Sequence, residues 1–163
     1  MSTMANRIKR LPPYLFAEID KTKQDALARG VDIIDLGVGD PDIPPPKAVI
    51  DSLTGNTRTK GFHNYASYSG LPGLRQAFAA WFEKRFGVSL NTDNEVLPLI
   101  GSKEGIGHIS LGYLNPGDEV LIPDPGYPVY AAGTILAEAV PRYFPLRKTD
   151  NFIPRIDELE ELV

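Results

Sequence analysis

The run Leu97-Pro98-Leu99-Ile100-Gly101-Ser102-Lys103-Glu104-Gly105-Ile106-Gly107-His108 constrains the fold more than any other stretch of the chain. An apolar, strand-like segment breaks at Gly101 and resumes with helical spacing through Leu111 and Leu114. A strand that turns directly into a helix leaves the first backbone N–H groups of that helix without partners. Those groups, with the positive end of the helix dipole, form a ready site for an anion such as a phosphate. Lys103 strengthens that expectation, because a cation in the first helical turn opposes the dipole by about 0.3–1 kcal/mol unless an anion reverses the cost. Against it stands an ordinary capped turn, with Ser102 as cap and Lys103 in solvent.

The rest of the chain alternates between the two periods. Leu11-Pro12-Pro13-Tyr14 reads as an extended arm, since the residue before each proline is pushed away from helix. Phe16, Ile19, Lys23, Ala26 and Leu27 fit one helical face, closed by Gly30 in the C′ position. Val31 to Leu36 reads as a short strand, and Lys47 to Leu53 as a helix entered through proline. The intervening Gly37-Val38-Gly39-Asp40-Pro41-Asp42 begins like a dinucleotide fingerprint but lacks its third glycine and runs into Pro41. A polar loop with three aromatics, Phe62, Tyr65 and Tyr68, leads to the strongest helix, whose face of Leu74, Ala77, Phe78, Trp81, Phe82 and Arg85 places Trp81 in the core. After the opening stretch come a turn at Asn115–Asp118, a strand over Glu119–Ile122, a loop over Pro123–Pro128, a helix over Val129–Ala137 and a strand over Val140–Phe144. Ile156 to Val163 begins an amphipathic helix that has no cap or tail after it, which suggests a fragment of a longer chain.

Strand and helix in alternation argue for an α/β fold with a mainly parallel sheet, in which ligands lie outside the carboxyl ends of the strands. Two loops fall there, Gly101–Glu104 and Asp124–Tyr130, and can flank one pocket. One offers a phosphate cradle and the other an aromatic face. A phosphate with a flat ring is the shape of pyridoxal phosphate or of a nucleotide. Ser102 is not a hydrolase nucleophile of the G-x-S-x-G kind, because Ile100 and Glu104 stand where glycines are needed.

Composition closes off other classes. The chain has 163 residues and a net charge of -4, so nothing electrostatic points to nucleic acid or to an anionic membrane. It has no cysteine, which removes disulfides and thiolate chemistry, and its two histidines make a histidine-rich metal site an unpromising reading. No run approaches the ~18 apolar residues that cross a bilayer, and Met1–Arg10 lacks the apolar segment of a secretory signal. A cytoplasmic protein is the expectation.

Taken in order, Gly37–Asp42, Asn64-Tyr65, Gly70-Leu71-Pro72-Gly73-Leu74-Arg75, Gly101-Ser102-Lys103, Asn115–Asp118 and Pro123-Asp124-Pro125-Gly126-Tyr127 resemble the class I/II aminotransferases. These are fold-type-I pyridoxal-phosphate enzymes. Leu11–Phe16, Gly101–Gly105 and Asp124–Tyr130 look most like the LL-diaminopimelate branch, and the resemblance runs from Leu11 to Val163. It implies amino-group transfer between an amino acid and a 2-oxo acid, a role in amino acid and lysine biosynthesis, and a homodimer. It also implies part of a three-layer α/β/α large domain over 46–163, preceded by an arm and part of a small domain over 1–45.

Carried over by position, the backbone N–H groups of Ser102 and Lys103 would hold the cofactor phosphate, and Tyr127 would stack on its ring. Tyr65 would reach the phosphate of a neighbouring subunit. Gly39 would lie against the substrate carboxylate, with Tyr14 and Lys103 as further substrate-side contacts. The family's Schiff-base lysine, its ring-nitrogen aspartate and its carboxylate-binding arginine have no counterpart in this sequence. The resemblance therefore assigns no catalytic residue here and implies that the chain is inactive alone. Other readings remain open: a non-catalytic module for a phosphorylated ligand, one half of a split enzyme, or another fold-type-I reaction such as a carbon–sulfur lyase or an acyltransferase.

Overall fold

A computed structural model of the chain describes residues 3–37 and 39–163. The elements are α1 (Asn6–Lys9), α2 (Leu15–Ala28), α3 (Lys47–Asn56), α4 (Pro72–Phe86), α5 (Ser102–Tyr113), β1 (Glu119–Asp124), α6 (Pro128–Leu136), β2 (Val140–Pro145) and α7 (Ile156–Glu160). A 3-10 turn lies at Lys148–Asp150. They fall into two compact units, one of Met1–Val38 with Ile100–Val163 and the other of Gly39–Leu99.

The first unit is organised around β1–α6–β2. The two strands are parallel, in register from Glu119 opposite Val140 to Asp124 opposite Pro145. A parallel pair cannot be closed by a hairpin, and α6 is the crossover it requires. Ile122, Thr134, Ile135 and Ala139 are buried at its centre. The Thr134 hydroxyl donates to the Tyr130 carbonyl at 2.8 Å, so its burial leaves no hydroxyl unpaired. Against α6 lies α5, and the contact runs through small residues. A Cβ on Gly133 would come within 2.9 Å of Ser110 Oγ and 3.6 Å of Gly107 Cα. Helix separation follows side-chain size at the contact, and here there is almost none.

In the same unit α2 ends as its sequence predicts. Gly30, at φ +76°, follows the cap residue Arg29, its N–H donates to Leu27 O at 2.9 Å, and the Val31 N–H donates to Ala26 O at 3.2 Å. That pair of bonds is a Schellman closure, which needs a residue tolerant of the left-handed region.

The second unit holds α3 and α4. Helix α4 closes on Gly87, also left-handed, as expected. Its buried residues are Arg75 and Ala79, with the Arg75 Nη1 donating to the Thr92 carbonyl and lying 3.4 Å from Asp93 Oδ1.

Three expectations are corrected. Val31–Leu36 and Leu97–Ile100 are not strands, because neither has a ladder partner among the described residues. Polar groups there are met locally instead: Asp35 accepts from the Gly37 N–H, and Glu104 from the Ile100 N–H, each at 2.9 Å. Trp81 is not core but 58% exposed, in edge contact with Phe86 at 5.7 Å. Apolar residues wrap most of α4, so periodicity alone did not single out the face holding Arg75 and Ala79. The last helix is also shorter than predicted, ending at Glu160. Val38, in the Gly37–Asp42 motif, lies outside the described residues.

Among the described residues no helix is long and apolar enough to cross a membrane, and no cluster of three or more His, Asp or Glu side chains could hold a metal.

Candidate functional site

Helix α5 begins at Gly101, whose backbone, at φ 127° and ψ 150°, is open to glycine far more readily than to other residues. Ser102 is therefore the first helical residue, and its side chain makes no cap hydrogen bond. Among the described residues neither the Ser102 N–H nor the Lys103 N–H meets an acceptor, whereas the Glu104 N–H bonds Gly101 O at 3.2 Å. The Glu104 carboxylate turns back to the Ile100 N–H, so it steadies the turn from behind. This is a capping-box device displaced by one residue. Gly101-Ser102-Lys103-Glu104 carried that signal in its spacing, and the sequence reading passed over it.

Tyr127 is the cap residue of α6, at the C-terminal end of β1. The turn before it is tight. A Cβ on Gly126 would meet Pro123 O at 2.2 Å, so only glycine lets the chain fold back over the strand end. The Asp124–Pro125 peptide in this turn is cis. Tyr127 stands edge-on to Tyr130, with ring centroids 5.8 Å apart at 84°. The residue is 41% exposed, which leaves surface for a ligand.

The Lys103 side chain joins the pieces. Its Nζ lies 5.7 Å from the Tyr127 ring centroid and 5.5 Å from that of Tyr14, the cap residue of α2. Cation–π contacts of this kind contribute about 0.5–1 kcal/mol at exposed sites. Two unpaired N–H donors, an ammonium and a half-exposed aromatic ring are thus held by two helix starts that pack through Gly107, Ser110 and Gly133. Among the described residues no carboxylate accepts from either N–H. The set fits a group with a phosphate and a flat ring.

Ser102, Lys103, Tyr127 and Tyr14 therefore share one unit. Tyr65 and Gly39 belong to the other. The Tyr65 side chain there is fully exposed, and a Cβ on Gly39 would meet nothing within 4 Å.

A parallel β–α–β unit with helix starts gathered at the strand's carboxyl end is the layout of an α/β ligand-binding domain. The chain belongs to the class I and II aminotransferase family, which matches residues 31–163. It is 48% identical over 161 residues to the LL-diaminopimelate aminotransferase of Aquifex aeolicus (strain VF5), covering 99% of this chain and 42% of that protein. To the LL-diaminopimelate aminotransferase of Moorella thermoacetica it is 52% identical over 150 residues, covering 92% of this chain and 38% of the relative. Among solved structures, the aspartate aminotransferase of Thermotoga maritima superposes with a TM-score of 0.85 at 27% identity, covering 98% of this chain and 42% of that one. The chain spans about two-fifths of the length of the relatives it matches.

Proposed function

We propose that this chain carries the phosphate-holding and ring-stacking side of a pyridoxal-phosphate site in an LL-diaminopimelate aminotransferase. The whole protein would move an amino group between an amino acid and a 2-oxo acid, as a cytoplasmic homodimer. The observation that carries the reading is the pair of adjacent N–H donors at Ser102 and Lys103, without acceptors among the described residues, beside the Tyr127 ring. Identity near one half to relatives of that name supports the branch.

When bound, the cofactor supplies the electron sink that the chain's side chains lack. The residues here bind and orient. Ser102 and Lys103 donate to the phosphate from the positive end of α5. Tyr127 holds the ring face, and the Lys103 ammonium adds charge beside it. Tyr14 contributes a substrate-side wall. In the second unit, Tyr65 is free to reach a partner subunit's phosphate and Gly39 leaves backbone room for a carboxylate. Residues 1–45 form the arm and part of the small domain in this reading, and 46–163 the beginning of the large domain. None of the residues is assigned the covalent or proton-transferring role.

Titration of the chain with pyridoxal phosphate, pyridoxal, inorganic phosphate and a nucleotide, followed at the Ser102 and Lys103 amides by NMR, tests the proposal. Pyridoxal phosphate should shift both amides at lower concentration than either part alone, and borohydride should trap no stoichiometric lysine adduct. Equal response to phosphate and to nucleotides would instead favour a plain phosphate-binding module. A specific adduct accompanied by amino acid turnover would sink the assignment of these residues to binding alone.

A further inference from the structure

Tyr14 reaches Lys103 from the N-terminal arm, and the arm is fastened at a point well away from that contact. The Arg10 guanidinium donates through Nη2 to the Ala139 carbonyl at 3.2 Å, and Arg7 Nη1 bonds Glu138 Oε1 at 3.3 Å. The receiving turn is hydrogen-bonded from two sides. Ala139 is wholly buried, its N–H donates to Thr134 O at 3.0 Å, and the Glu138 carbonyl accepts from the Gly117 N–H at 3.2 Å. Glu138 itself is held at φ +64°, a left-handed conformation costly for a residue with a side chain.

Ala139 lies just past the C-terminal end of α6, whereas Tyr127 caps its N-terminal end. The nine residues of α6 make it about 14 Å long at the usual rise. From Arg10 to Tyr14 the chain takes four steps, spanning at most ~14 Å even when fully extended. The tether from Arg10 to Tyr14 is therefore short. Its middle is Pro12-Pro13, whose rings fix φ and stiffen the path. A fastening at one end of such a segment sets where the other end stands.

We propose that Arg10 is a positioning residue, tying the N-terminal arm to the α6–β2 turn so that Tyr14 stands over the Lys103 ammonium. Arg7 supports it weakly, as an exposed ion pair does. The function of the strap rests on the reading of Lys103 as part of the cofactor and substrate site. Its geometry does not.

The test is NMR of the chain with its lysines reductively methylated using carbon-13 formaldehyde, the Lys103 signal being assigned by its loss in Lys103→Arg. The Tyr14 and Tyr127 rings displace that signal from the position of the other lysines, and Tyr14→Leu gives the position with one ring removed. Arg10→Ala should move the Lys103 signal to that Tyr14→Leu position, with the Ile122 resonances unchanged. Pro12→Gly with Pro13→Gly, which keeps Arg10 and its acceptor, should move it the same way and decides the matter if Arg10→Ala does not fold. A Lys103 signal that stays in place in these variants while Tyr14→Leu moves it overturns the strap, as does a Tyr14→Leu chain with no displacement at all. Inorganic phosphate added to the unsubstituted chain separates the two proposals. Silent Ser102 and Lys103 amides would overturn the cofactor reading and leave the strap standing.

Discussion

Gly126 and Gly133 both sit where a side chain would collide, but the collisions differ in kind. At Gly126 the obstacle is the Pro123 carbonyl, 2.2 Å from an added Cβ, and backbone at a strand end cannot step aside. At Gly133 it is Ser110 Oγ at 2.9 Å, which a rotation about one bond removes. Gly133 also lies inside α6, where alanine is favoured over glycine by about 1 kcal/mol. Gly126→Ala should therefore destabilise the chain by about 1–3 kcal/mol, the usual cost of overpacking. Gly133→Ala should stay within about 1 kcal/mol of the unsubstituted chain, since gain and strain offset. Urea unfolding midpoints check both, and equal losses would refute the distinction. The candidate residues at the α5 and α6 starts were legible for the same local reasons. Gly101, Ser102, Lys103 and Tyr127 announce a helix start and an aromatic cap in their own neighbourhoods. Tyr14 was legible only through resemblance, since its place over Lys103 depends on Arg10 and Ala139, more than a hundred residues apart.

The elements show where sequence reading works and where it stops. Helix ends were readable at Gly30 and Gly87 because a left-handed cap is a one-residue requirement. The β1–α6–β2 order followed from period and turn residues. Val31–Leu36 and Leu97–Ile100 were misread because a strand is a property of two segments, and an apolar run says nothing of its partner. Trp81 failed for a related reason, as the buried face of α4 is chosen by what lies against it. An ion pair helps fasten residues 31–37 to α2. Lys23 Nζ lies 2.9 Å from Asp35 Oδ2 and 3.2 Å from Asp20 Oδ1. The Gly37 N–H, then Lys23, hold the Asp35 carboxyl below its ordinary value, and hydrogen bonds to Asp35 and Asp20 raise the Lys23 ammonium. A depressed carboxyl stabilises the fold above its unfolded pKa and loses that contribution as pH falls through the folded value. A raised ammonium does so below its unfolded pKa and loses it as pH rises through the folded one. The fastening should thus persist between the two and weaken on the acid side below about pH 4 and the alkaline side above about pH 10. Amide exchange at Gly37, faster at pH 3 than base catalysis alone allows relative to Gly30, would register the acid limb. Asp35→Asn should abolish the difference between the two amides.

At the scale of the whole chain, apolar side chains stand in solvent to an extent that isolated soluble domains avoid. Ile34 is 88% exposed, Leu36 89% and Ile100 95%, and the two-stranded sheet has an unpaired edge on each side among the described residues. Large apolar patches mark surfaces that another surface covers, and open strand edges pair with whatever extended chain arrives. The chain by itself should therefore self-associate as its concentration rises, even though its net charge of -4 gives some mutual repulsion. Sedimentation velocity over a hundredfold range of concentration measures this directly. The expected result is a weight-average sedimentation coefficient that climbs with concentration and falls back on dilution. Ile34→Thr with Leu36→Thr should lower the association. Folding stability should move by only about 0.5 kcal/mol per site, because side chains already in water lose little on becoming polar. A chain that remains monodisperse across the range would mean that these side chains are covered within the monomer, and the exposed placement of Ile34 and Leu36 would fall with the prediction.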